Sequence, residues 1–153
     1  MSIKFWENRK TKELNKTLFS AVAEEEAKKV QAKASATVNK PTQLRKFFDE
    51  IISFEARYSM AAGKTDSEEG RMQVFKQQLP FAHMLVPKAK YAEARKLVSS
   101  EFVELIRSAI LDNLEEPDDI RILKSFFEAF TGYFKYFNEM EKVQNSYNQG
   151  GRR

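Results

Sequence analysis

The side chains able to do chemistry are few in kind. The 153-residue chain has one histidine, His83, and no cysteine, which excludes disulfides, thiolate metal sites and a cysteine nucleophile. With no second histidine to complete a metal cluster and no Ser-His-Asp arrangement to join, His83 reads as a structural residue, buried or on the surface. The phosphate-cradling patterns GxxxxGK[ST] and GxGxxG and the zinc-binding HExxH are absent. Carboxylates do cluster, at Glu24 to Glu26, Glu115 with Glu116, and Asp118 with Asp119. These fall on expected helix surfaces and ends, where solvation and the helix dipole account for them. The expectation is a chain without catalytic residues, metal or cofactor.

What remains is the chemistry of cations beside aromatic rings. In Pro87-Lys88-Ala89-Lys90-Tyr91-Ala92-Glu93-Ala94-Arg95-Lys96, a helix would place Lys88, Tyr91 and Arg95 on one face. Phosphate oxygens need cationic donors, and a ring stacks on an unpaired base or supports a guanidinium. The alternative, that Tyr91 anchors the core while Lys88 and Arg95 cover its edge with their stems, stays open. A second candidate is Lys40-Pro41-Thr42-Gln43-Leu44-Arg45-Lys46. Here helix N-terminal amides and the Thr42 hydroxyl would hold a phosphate within reach of Arg45. Against it, Arg45/Asp49 and Lys46/Glu50 have the spacing of ordinary surface ion pairs, as do Lys124/Glu128 and Lys135/Glu139.

Net charge is only +4, with a pI near 9.2, but it is unevenly spread. Residues 1–46 carry 11 basic against 5 acidic side chains, residues 71–96 carry 6 against 1, and residues 97–119 carry 1 against 7. Such segregation allows one face to bind a polyanion while another repels it or meets a basic partner.

The elements that must position these groups are helical. An apolar fraction of 42% with 13 Phe, and only nine Gly and Pro together, suits packed helices better than a turn-rich sheet, and the length fits one domain. Leu14, Leu18 and Val22 open a largely polar helix over 12–34, which projects as an arm, packs on a partner or lies solvated. After a break at Ser35 to Pro41, the residues Leu44, Phe47, Phe48, Ile51, Phe54 and Tyr58 mark a core helix from Thr42 to Ala61. A polar loop spans Gly63 to Gly70. The path from Arg71 to Val98 must kink or split at Pro80 or Pro87.

A further helix starts at Ser99 or Ser100 and ends near Glu116, and the longest, capped by Asp118, runs to about Tyr147. Its wide apolar face, from Ile120 through Phe126, Phe127, Phe130 and Phe134 to Phe137 and Met140, belongs to a central helix. The expected fold is all-α: a compact bundle of about five helices, with a long C-terminal core helix and an N-terminal helical arm. Residues 1–38 form the arm, with Trp6 in its loose terminus, 39–147 the core domain, and 148–153 a disordered tail. No export signal or membrane-length apolar stretch is present, so the reading is a soluble, cytoplasmic protein.

Three segments in this order resemble the small-subunit family of type III-A CRISPR (Csm) effector complexes. They are Thr42-Gln43-Leu44-Arg45 opening an apolar helix, Tyr91-Ala92-Glu93-Ala94-Arg95 after a Lys-rich step, and Phe126-Phe127-Glu128-Ala129-Phe130 followed by Tyr133-Phe134-Lys135-Tyr136-Phe137. The resemblance covers about residues 40–137 and leaves the first forty outside it. It implies a non-catalytic helical subunit, present in several copies along a ribonucleoprotein filament beside other Csm subunits, with a homodimer as another state of the isolated chain. It also implies sequence-independent contact with crRNA and target RNA through Arg45, Lys88, Lys90, Arg95 and Lys135, while target cleavage and cyclic oligoadenylate synthesis belong to other subunits. The rival expectation is a structural adaptor whose basic residues serve only salt bridges.

Overall fold

In the computed structural model, residues 2–150 are described. The chain opens with a short antiparallel hairpin, β1 (Trp6–Asn8) and β2 (Glu13–Leu14), and a π-helical turn at Leu18–Val22. Helices α1 (Ala23–Ala32), α2 (Pro41–Ala62), α3 (Glu68–His83), α4 (Leu85–Ala94), α5 (Ser100–Leu111) and α6 (Asp118–Gly150) follow. The all-α class and the long C-terminal helix are as expected. α6 is the axis of the core. Phe126, Phe127, Phe130 and Phe134 are buried along it and pack ring against ring, with Phe5 reaching Phe126 and Phe102 bridging Phe47 to Phe130. The apolar face stops sooner than the pattern implies. Phe137 is half-buried, Met140 is exposed, and the tail expected over 148–153 is helical as far as Gly150; residues 151–153 lie outside the described residues.

The first forty residues depart furthest from the sequence reading. No single helix covers 12–34, and the segment does not project: Ile3, Phe5, Leu18, Ala23, Ala27 and Val30 are all buried in the main core, with α1 packed along α6. Three alanine or valine side chains on one turn-spaced face suffice, because small residues let two helix backbones approach closely. The terminus is stitched down by α5 and the loop after it. Ser108 Oγ accepts from the Ile3 amide (2.7 Å), and Asn113 accepts from the Phe5 amide and donates to the Ile3 carbonyl (both 2.9 Å). Since Asn113 is drawn inward to do this, α5 ends at Leu111 rather than near Glu116.

Trp6, expected in a loose end, donates its indole N–H to Asp119 at 2.6 Å. Asp119 is fully buried. It also takes the Arg9 guanidinium (2.8 Å) and the amides of Glu115 (2.9 Å) and Glu116 (3.0 Å). The Asp118/Asp119 pair is therefore more than dipole decoration: Asp119 ties the hairpin to the start of α6. Around it Arg9 also approaches Glu115 and Glu116, and Lys12 bonds Glu116 and Asp118. Part of the charge segregation seen in sequence is thus consumed internally, the basic N-terminus neutralising the acidic stretch before α6.

The proline question resolves at Pro87. Its missing N–H and its ring both act on the carbonyl four residues back, at His83, which is where α3 ends and α4 begins after Met84. Pro80 is accommodated inside α3.

The start of α2 is set by Asn39, buried and in the left-handed region at φ 56. Its amide donates to the Leu97 carbonyl, and its side chain donates to the Val30 carbonyl and Ser99 Oγ while accepting from the Ser99 amide, all at 2.9 Å. One residue thereby joins the ends of α1 and α4 to the starts of α2 and α5. Asn39→Ala is expected to cost about 3 kcal/mol, from unsatisfied buried groups plus an alanine forced to positive φ. Asn39→Gly, relieved of the backbone penalty, should cost about 1 kcal/mol less in urea denaturation. Equal losses would show that the backbone conformation contributes nothing.

Candidate nucleic-acid interface

The first half of α2 forms a ridge between two grooves. Leu44, Phe47 and Ile51 face the core, so Arg45 and Lys46, adjacent in sequence, emerge on opposite flanks. On the α6 side, Thr42 and Arg45 line a cavity of about 320 Å³ together with Phe134 and Lys135. On the α4 side, Lys46 lines a second cavity of about 230 Å³ with Lys88, Tyr91 and Arg95. The helix N-terminus itself carries no side-chain cap, Lys40 being extended and Pro41 occupying the first turn.

Arg95 is held at its place by the end of α4. Lys96 takes φ 61, its amide donates to the Glu93 carbonyl (2.8 Å), and the Leu97 amide donates to that of Ala92 (2.9 Å). This is the Schellman closure, with Leu97 folding back against Ala92. Arg95 sits at the helix cap, where the dipole favours a cation.

The anticipated intrahelical ion pairs are not the ones that form. Among the described residues, Arg45, Lys46, Lys90, Arg95 and Lys135 have no carboxylate within ion-pairing distance. Glu50 is taken by Lys88 at 2.8 Å across the groove, Lys124 reaches Glu55 on α2 at 3.3 Å, and Glu139 pairs with Lys142. Tyr91 is 66% exposed, which removes the core-anchor alternative, and the Arg95 guanidinium lies 5.8 Å from its ring centre.

Of the five residues singled out in sequence, Arg45 and Lys135 meet in one groove and Lys88 and Arg95 in the other. Lys90 joins neither. It lies across α4 on the side of α5, where Glu104 is held below the usual carboxylate range by hydrogen bonds from Arg107, with Lys90 adding a smaller attraction. Lys46 is the groove residue that spacing undervalued: it was matched to Glu50, which belongs to Lys88. The buried step from Leu44 to Phe47 was the signal that Arg45 and Lys46 straddle the helix.

Fold and grooves together define an all-α bundle with a cationic helical ridge open to solvent. Among the described residues there is no group of side chains able to hold a metal ion, and no helix is long and apolar enough to cross a membrane. The model of the Csm2 Type III-A family matches residues 13–140, most of the chain, and the chain belongs to that family. It is accordingly a small subunit of a type III-A CRISPR Csm complex. The match begins at Glu13 and so takes in α1, which the three motifs had left outside. No curated protein and no solved structure shows a significant match to the chain.

Proposed function

We propose that this subunit is non-catalytic and grips the sugar-phosphate backbone of crRNA and target RNA along the α2 ridge, without reading sequence. The carrying observation is the set of cations without carboxylate partners, Arg45 and Lys135 on one flank and Lys46 and Arg95 on the other, drawn to a single helix start. A guanidinium beside the Thr42 hydroxyl suits phosphate oxygens in fork geometry. The Lys88–Glu50 pair is half-exposed on both sides, so it is worth at most about 1 kcal/mol and yields readily to a competing phosphate. Guide pairing supplies sequence recognition in such a complex, so backbone contacts suffice for a small subunit. Further copies of the chain and other Csm subunits would share the RNA with it.

The test is a titration of single-stranded and duplex RNA of unrelated sequences by fluorescence anisotropy at several salt concentrations. Up to four phosphate contacts predict a log–log salt slope of roughly −2 to −3 for single strands, and affinities independent of sequence. Absence of binding at low salt would favour a structural adaptor or a homodimeric interaction protein.

A further inference from the structure

The groove between α2 and α4 continues past the basic cluster. Followed back through α4 into α3, exposed side chains recur at three- and four-residue steps, namely Phe81, Met84, Lys88, Tyr91 and Arg95, so they form one stripe. α2 runs antiparallel beside it. Lys46 stands near Arg95, Glu50 bonds Lys88, and Arg57 stands over Phe81. Two features recur together along this stripe. Phe81 is 54% exposed and Tyr91 66%, and each ring has a guanidinium beside it, Arg57 at 5.6 Å and Arg95 at 5.8 Å from the ring centres. The two units are ten residues apart on nearly continuous helix, about 15 Å.

A protein-binding face would need a contiguous apolar patch. Here the exposed apolar pair Phe81 and Met84 is cut off from Tyr91 by Lys88, and the four cations Lys46, Arg57, Lys88 and Arg95 face one carboxylate, Glu50, among the groove residues. Aromatic faces spaced along a cationic track match a single-stranded polynucleotide, whose bases present π-faces and whose phosphates repeat between them.

We propose that this stripe is a stacking track for unpaired RNA. Phe81 and Tyr91 each take the face of a base on the open side of the ring, and Arg57, Lys88, Lys46 and Arg95 hold the phosphates between and beyond them. This deepens the RNA-binding reading and rests on it: the backbone grip becomes selective for unpaired strands at this groove while remaining indifferent to base identity.

The experiment compares a short oligoadenylate with an abasic ribose-phosphate oligomer of equal phosphate number, using the full chain and its Phe81→Ala, Tyr91→Ala and Tyr91→Phe variants. Both positions are exposed, and circular dichroism and thermal melting check that the variants fold. Stacking predicts that the wild type prefers oligoadenylate, and that each alanine variant loses roughly 5- to 100-fold in affinity for it with the salt slope unchanged. The abasic oligomer should bind all forms alike, and Tyr91→Phe should retain wild-type affinity. If wild type binds both oligomers equally, or if the alanine variants bind oligoadenylate as wild type does, the stacking track is overturned while the backbone grip stands. Unchanged RNA binding with self-association lost in sedimentation would reassign the stripe to a protein contact. Binding of neither oligomer at low salt removes the backbone reading and the track together.

Discussion

Asp119→Ala is expected to remove about 3–5 kcal/mol of folding stability, a larger effect than any other substitution proposed for this chain. The carboxylate is fully buried and receives the Trp6 indole, the Arg9 guanidinium and the amides of Glu115 and Glu116. Alanine strands the indole and the two amides, while Arg9 keeps Glu115, Glu116 and the Asn113 carbonyl, and the cost of leaving buried donors unmade exceeds the net worth of the bonds themselves. For a chain of this size the melting temperature should fall by about 10 °C. Asp119→Asn, which keeps one acceptor oxygen but turns an amide towards donors, should cost about half as much. Asp118→Ala is the control. Asp118 is half-exposed and meets Lys12 at the surface, so its loss should stay within about 0.5 kcal/mol. Urea denaturation measures all three. Trp6 is the sole tryptophan, so its emission should also shift to the red in Asp119→Ala as the hairpin loosens. Equal stabilities for Asp119→Ala and Asp118→Ala would show that the hairpin is not anchored there.

The second large effect concerns RNA. Arg45→Ala and Arg95→Ala act on opposite flanks of α2 and share no partner, so their effects should add. Each exposed phosphate contact is worth about 1 kcal/mol, which makes the double variant roughly 30-fold weaker. Its salt slope on a single strand should be shallower by about 0.7 for each phosphate that is no longer neutralised. Glu50→Gln should act in the opposite direction: freeing Lys88 from its pair ought to tighten binding several-fold at low salt. Lys90→Ala should leave binding close to wild type, because Lys90 faces α5 and Glu104 rather than either groove. If Arg45→Ala and Arg95→Ala are indistinguishable from Lys90→Ala, net charge rather than the ridge accounts for any RNA affinity.

Glu104 and Tyr58 contribute to the pH dependence of stability, one at each end of the range. Glu104, its carboxyl lowered by Arg107, contributes stability at neutral pH that is lost as pH falls through its folded pKa, though its exposure keeps the contribution small. Tyr58 is raised, mainly by burial, so stability declines at alkaline pH once the unfolded phenol ionises.

Much of the framework was legible because its information is local. Helix faces repeat every three or four residues, so Leu44, Phe47, Ile51 and Phe54 disclosed α2, and the phenylalanines of α6 disclosed the core axis. Ser99 and Ser100 announced the start of α5 by their type and place, and the structure selects Ser99 as the cap. The residues proposed to contact RNA, Arg45, Lys88, Arg95 and Lys135, were legible as types, through their motifs, but not as partners. Ion pairing across a groove, as in Lys88 with Glu50, competes with intrahelical pairing on nearly equal energetic terms, and spacing along one helix registers only the second.

By itself, the sequence determined an all-α protein with a long apolar C-terminal helix, a family membership, and a stock of cations beside aromatic rings. Only the tertiary structure decided what those groups do together. It turned a polar-looking N-terminus into core, because Ile3 and Phe5 find their hydrogen-bond partners more than a hundred residues away at Ser108 and Asn113. It spent Arg9 and Lys12 on Glu115, Glu116, Asp118 and Asp119, while Arg45, Lys46, Arg95 and Lys135 beside the start of α2 form no ion pair among the described residues. It also set α2 beside the stripe from Phe81 to Tyr91, bringing Arg57 over the Phe81 ring and Glu50 to Lys88. Periodicity is a property of neighbours along the chain, whereas charge cancellation and groove formation depend on which distant surfaces meet.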